Sequence, residues 1–239
     1  AMMLDWQGAL DAVVHHPLFG IGITLGAYQV VLAAYEKTRW IFLQPVLVSM
    51  LLVIGVLLLC GIDYSEYRKS TEIMNILLGP ATVALAVPLY LNLRRIRQLF
   101  WPTFTTLVVG GLFATLFCLL LGWWFGAEHM ILMTMAPKSV TSPIAMLVAE
   151  QIGGVAALAA VFVLITGVIG AIFGPALLNR FGVHSPEARG MSLGVTAHAV
   201  GTSVALQESD ECGAFAALAM SLMGVATAVF LPLAVSLVA

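Results

Sequence analysis

Residues 136–148 read APKSVTSPIAMLV. The stretch sets a lysine, three hydroxyls and two prolines between an apolar run that ends near Thr134 and another that begins near Ile152. A soluble core would reject the charge. A plain membrane helix would reject the prolines, each of which removes a backbone donor and clashes with the preceding turn. Pro137 is expected to end one helix, and Pro143 suits the first turn of the next, where its missing N–H is not needed. The stretch therefore reads as break, cation, hydroxyls, helix start. At membrane depth such a break is tolerated where the backbone lines a cavity or is buried in protein.

Composition agrees with that setting. The 239 residues are 61% hydrophobic and 9% charged, against about 25% charged in an ordinary soluble domain, and the mean hydropathy is +1.04. An integral membrane protein in a lipid bilayer is expected. The net charge of -2 excludes nucleic acid as a partner, since that requires a basic face. Cys60, Cys118 and Cys212 are scattered singly, with no CxxC or Cys/His spacing. They read as buried, reduced thiols, and no metal or cofactor is expected. There is no HExxH or Walker loop and no pair of intramembrane carboxylates, so no enzyme is expected. The apolar stretch after Pro17 lacks a preceding basic region and a following small-residue cleavage site, and is expected to stay in the protein.

About 20 apolar residues cross the hydrocarbon layer. By that measure the chain holds about seven to eight hydrophobic segments, near 17–35, 41–60, 73–93, 102–124, 130–149, 152–178, 189–207 and 212–238. Their length fits helices and not alternating strands, so the fold is expected to be all-α. The third, fifth and seventh segments are interrupted and alternate with ordinary spans. Pro80 and Pro88 break LLGPATVALAVPLY, Pro137 and Pro143 break the opening stretch, and Gly201 falls within GMSLGVTAHAVGTSVALQ. In transporters, paired interruptions in two halves point to a midplane binding site. The halves here are 17–124 and 130–238, read as an inverted repeat within one domain over 1–239. GITLG (Gly22 to Gly26) and GAIFG (Gly170 to Gly174) carry the small-xxx-small spacing that lets helices approach closely. Arg94, Arg95 and Arg97 have no acid close in sequence, which places their loop in the cytoplasm by the positive-inside tendency. Simple alternation then puts Arg180 and Arg189 on the other side, unless an interrupted segment turns back.

Lys138 lies about eight residues from the nearer end of its segment, roughly 12 Å along a helix, farther than a lysine stem can snorkel. It is expected to face a polar cavity as the contact for a substrate anion, or else to bond carbonyls freed at Pro137 or to sit at the water surface of a segment that does not cross. Ser139, Thr141 and Ser142 offer hydroxyls beside it, with bonding back to i-4 carbonyls as the alternative. His198 is the only histidine inside an apolar segment, a candidate for proton coupling or an interhelical hydrogen bond. His15, His16, His129 and His184 sit at segment ends and read as interfacial. Glu208, Asp210 and Glu211 read as a solvated loop, with Glu208 close to the seventh segment.

LLGPATVALAVPLY, APKSVTSPIAM, GGVAALAAVFVLITGVIGAIFGPALL and ARGMSLGVTAHAVGT, in this order from about residue 40 onward, resemble the LrgB/CidB family. That family takes in the LrgB-like half of the plant plastidal glycolate/glycerate translocator. The resemblance implies a multi-pass protein of the bacterial inner membrane, a homodimer with a possible LrgA-like membrane partner. It also implies one of two functions. One is transport of small carboxylates such as glycolate, glycerate or pyruvate; the other is a holin- or antiholin-like pore or regulator of murein hydrolase activity and autolysis. It places Lys138, Ser139, Thr141 and Pro143 on one family block and His198, Gly201 and Thr202 on another. As a carrier, the chain would hold a carboxylate with Lys138 and a 2-hydroxyl with Thr141, Ser142 and Thr202. Where relatives read GTAR followed by a glutamate, this chain has Ser203, Val204 and then Gln207, consistent with a lost ion pair; Gln44-Pro45 replaces Asn-Pro.

Overall fold

The computed structural model describes residues 18–38, 45–84 and 86–238 together with positions 13, 16 and 43. His15 and Gln44 lie outside them. The described residues form helices and no strands, and four helices are long and apolar enough to cross a membrane: Phe19–Thr38, Phe100–Trp124, Ala156–Arg180 and Asp210–Leu237. Pro45–Cys60 is apolar but shorter. The chain divides into two compact units, Ala1–Ala84 and Leu85–Ala239, a boundary that falls inside the first of the two halves expected from sequence.

The first unit contains α1 (Phe19–Thr38), α2 (Pro45–Cys60), α3 (Tyr64–Ser70) and α4 (Glu72–Ala84). The start of α1 is held to the end of α3: a Cβ on Gly20 would meet the Ser70 hydroxyl, and Thr24 Oγ1 lies 2.8 Å from the Tyr67 hydroxyl. Gly22 and Gly26 meet nothing within 4 Å, so GITLG makes no close approach among the described residues. Pro80 lies inside α4, which continues four residues past it to Ala84.

The second unit runs α5 (Ala86–Leu91), α6 (Leu93–Gln98), α7 (Phe100–Trp124), α8 (His129–Met135), α9 (Ser142–Gln151), α10 (Ala156–Arg180), α11 (Pro186–Glu208) and α12 (Asp210–Val238). The third segment is thus broken into α4, α5 and α6, with the backbone of Pro88 inside α5. In α7 the residues Thr106–Gly110 form a π-turn. Trp101 and the pair Trp123 and Trp124 are exposed at its two ends. They stand roughly 33 Å apart along the axis, the spacing of anchors at two bilayer interfaces.

α11 is the element that organises this unit. Arg189 Nε and Nη2 donate to both oxygens of Glu208 at 2.6 and 2.7 Å, although nineteen residues of straight helix would separate them by roughly 28 Å. The helix is therefore folded into a hairpin of two arms. Its backbone leaves helical geometry at His198, with φ 41° and ψ -126°. A non-glycine residue holds such a conformation only where its surroundings over-determine it. Here the ring is buried against Gly167 and Nε2 lies 3.0 Å from the Val163 carbonyl. The turn expected at Gly201 thus falls three residues earlier. Gly201 lets the second arm lie on the first, because a Cβ there would sit 2.3 Å from the Leu193 carbonyl oxygen.

Small residues line the hairpin's neighbours too. Gly167, Gly170 and Gly174 of α10 face His198, Ala197 and Leu193, so the GAIFG spacing does bring two helices together. Gly190 and Gly194 face Cys212 and Ala216 of α12. Substituting Gly201→Val should lower the apparent melting temperature of the purified protein by the equivalent of about 1–3 kcal/mol, the cost of overpacking where backbone cannot yield. Gly22→Ala, with nothing to meet, should instead raise it by roughly 0.5–1 kcal/mol through chain entropy. A thermal unfolding assay on both variants separates the two expectations.

These contacts fix which ends of the second unit are shared. Arg95, just before α7, pairs with Glu187 at the start of α11 and Glu211 at the start of α12. The end of α10 joins them, since Arg189 Nη1 donates to Asn179 Oδ1 at 2.8 Å. So α7 leaves this end and α10 returns to it, and residues 125–155 must leave from and come back to the opposite end. The Thr134 hydroxyl ties that excursion together by accepting from the Val155 N–H at 2.9 Å. The fifth and seventh segments therefore both turn back, from opposite ends. This removes the conflict over the arginine loops: Arg95, Arg180 and Arg189 belong to one end. The expected lack of an acid near Arg95 holds only along the sequence.

Candidate functional site

The break in the fifth segment lies where the sequence places it. α8 stops at Met135, residues 136–141 turn, and α9 starts at Ser142 with Pro143 in its first turn. Pro137, Ser139 and Val140 are buried. Val140 packs with Ala145, Ala149, Ala159 and Val163, while His198 bonds the Val163 carbonyl. The turns of the two re-entrant segments thus converge on the same residue of α10.

Beside that convergence lies a cavity of about 760 Å³. Its walls come from α7, from Met135 and Lys138 at the first break, and from Ser192, Val195 and Thr196 on the first arm of α11. Thr106 and Gly110 of the π-turn also face it. π-turns often mark functional stretches because they turn side chains and carbonyls out of helical register. Lys138 Nζ donates to Ser139 Oγ at 3.1 Å. Among the described residues no carboxylate forms an ion pair with it.

The hydroxyls at this wall differ from those singled out in the sequence. Lys138 lines the cavity, but Ser139, Thr141, Ser142 and Thr202 do not. Thr202 is buried and donates to the His198 carbonyl at 2.9 Å. His198 is buried with Nδ1 unbonded, behind the wall and not on it. The hydroxyl-bearing residues on the wall are Thr106, Ser192 and Thr196, each donating its proton to the carbonyl four residues earlier. Ser192 and Thr196 could have been paired from the sequence, since residues four apart share a helical face. Cys118 also lines the cavity. Of the three free thiols only Cys212 is buried; Cys60 is exposed and Cys118 half-buried, contrary to the expectation that all three are buried.

At the shared end, charges are paired. Burial pushes the Glu187 carboxyl up, but its own backbone N–H, the Arg95 guanidinium and the Ser185 hydroxyl outweigh this and hold it below the usual carboxylate range. Arg189 is further held by the Val183 carbonyl at 3.0 Å. Glu208 is exposed, as the sequence suggests, and its carboxylate pairs with the buried Arg189. The described residues include no cluster of His, Cys, Asp or Glu suited to a metal ion.

Comparison with known proteins meets this geometry over nearly the whole chain. The chain is 34% identical over 213 residues to the uncharacterized protein YxaC of Bacillus subtilis, covering 89% of this chain and 93% of that one. It is 30% identical over 223 residues to the antiholin-like protein LrgB of Bacillus subtilis, covering 93% and 96%. The antiholin-like protein LrgB of Bacillus cereus is also 30% identical, over 218 residues, covering 91% and 95%. No solved structure matches the chain. The family profile described as LrgB-like matches residues 24–237, and the chain belongs to the LrgB-like family.

Proposed function

We propose that this protein is a secondary carrier of small monocarboxylates in the bacterial inner membrane, working by alternating access with Lys138 as the carboxylate contact. The observation that carries this reading is the Lys138 ammonium at the wall of a cavity, with no carboxylate partner among the described residues. An ionised group at membrane depth costs at least about 2.5–3.5 kcal/mol, so an unpaired one calls for a partner from outside. The order of elements supports alternating access: a long helix followed by a re-entrant segment occurs twice, α7 with α8–α9 and α10 with α11, in opposite sense. Inverted pairs of this kind in transporters form a midplane site. The purified protein in proteoliposomes should take up a short carboxylate with saturation and retain unrelated dyes; uptake that never saturates, with dye leak, would sink the carrier.

A second reading is favoured by the relatives' names, antiholin-like protein LrgB. In that case the chain regulates a membrane pore, and the homodimer and the LrgA-like partner implied by the resemblance carry the function.

A further inference from the structure

One face of α1 is left uncovered by the described residues. Val31 is buried, and Gly20 and Thr24 meet Ser70 and Tyr67 of α3, which occupies one side of the helix. The opposite side carries Gly22, Gly26, Gln29, Ala33 and Glu36, all exposed. They follow one another at intervals of four, three, four and three, the spacing of a seam along which two helices pack side by side. We infer that this seam is a dimer interface: α1 docks on α1 of a second copy of this chain, with the two Gln29 amides bonded to each other.

Gln29 points to the occupant. It stands at the middle of the 20 residues of α1, so roughly 15 Å of helix separates it from either end, too far for its short side chain to reach the headgroups. Among the described residues its amide has no hydrogen-bond partner. An unbonded amide in hydrocarbon is costly, and glutamine in membrane spans bonds across helices. Because the amide is both donor and acceptor, two of them satisfy each other. Two copies of one chain insert in the same sense, so their α1 helices run parallel and each residue meets its own counterpart at the same depth. A different protein would need a polar group of its own at that level. Gly22 and Gly26, with nothing within 4 Å, let the two backbones come close enough for the amides to touch. The seam ends at Glu36 with Lys37 beside it, so the carboxylate of one copy can meet the ammonium of the other. The interface depends neither on Lys138 nor on what is carried.

The test uses the full chain in proteoliposomes, with Cys60→Ser to remove the exposed thiol. Under mild oxidation Ala33→Cys should join two chains through a disulfide, whereas Leu52→Cys, exposed on α2, should leave them single. Stepwise photobleaching of a fluorescent tag then counts chains per particle as the protein is diluted in lipid. Gln29→Leu should raise the protein density at half-dimerisation about threefold to twentyfold. Gln29→Asn, which keeps an amide, should raise it less, and Gly26→Ile, which places bulk at the closest approach, should abolish the dimer. Thermal unfolding of the detergent-dispersed monomer checks folding, and Gln29→Leu should leave it unchanged. Chains that stay single at every density would overturn the interface. So would dimers that survive Gln29→Leu and Gly26→Ile unchanged and give no disulfide from Ala33→Cys. Oxidation in native membranes that links Ala33→Cys to another protein, and never to a second copy, would also overturn it and assign the seam to an LrgA-like partner.

Discussion

Lys138→Met is expected to weaken solute binding by about tenfold to a hundredfold and at the same time to make the protein more resistant to heat. Hydrogen bonds to a charged group are worth about 1.5–3 kcal/mol, and each 1.4 kcal/mol is a factor of ten in affinity. Stability should move the other way, because methionine fills similar space without the cost of an ionised group in an apolar setting. The Ser139 hydroxyl loses one neighbour but keeps the freedom to rotate to another. Opposite signs for function and stability are the signature of a residue held for a ligand. Lys138→Arg, which keeps the charge and changes the shape, should fall between. Uptake and melting temperature measured on the same preparations decide it; a methionine variant that loses both would make the lysine structural, bonded to the break at Pro137.

The second large effect is expected at the foot of α11. The Arg189 side chain is 11% exposed and that of Glu208 25%, and the pair is bidentate. Removing Glu208 strands the buried guanidinium, at a cost approaching the about 3–5 kcal/mol of a broken buried pair, whereas removing Arg189 leaves a carboxylate that water can reach. Glu208→Ala should therefore destabilise the protein strongly, and Arg189→Ala should do so mainly through its lost bonds to Asn179 and Val183. The double variant should be less affected than the sum, since it strands no charge. Asn179→Ala should cost only about 1 kcal/mol, since it removes a single acceptor. Thermal unfolding across this double-mutant cycle measures the coupling; strict additivity would mean that the salt bridge does not hold the two arms together.

How much of this was legible beforehand depended on distance along the chain. The break at 136–141 could be read because its cause, two prolines around a lysine, is local. The same logic was less reliable for Pro80, since neighbouring residues can re-satisfy the backbone around a membrane proline, and α4 runs through it. The turn of α11 was visible as an interrupted segment, but its position was not. Glycine marks where chains come close as readily as where they bend, and Gly201 serves the first purpose while His198 takes the bend. The pair Arg189 with Glu208, and the pairing of Arg95 with Glu187 and Glu211, lie 19, 92 and 116 positions apart. No periodicity joins such residues. The hydroxyls at the cavity wall were missed because Thr106 and Ser192 belong to segments read as ordinary or as remote from the lysine.

Each arm of α11 holds about ten to twelve residues, roughly 15–18 Å of helix, about half the thickness of a hydrocarbon layer. In the carrier proposed above, two such half-length elements approaching from opposite faces would leave a partition between the two aqueous phases thinner than the bilayer around it. The electrical potential across the membrane would drop over that short partition. A charge displaced by only a few ångströms beside Lys138 would then work against most of the voltage, about 2.3 kcal/mol per elementary charge for each 100 mV.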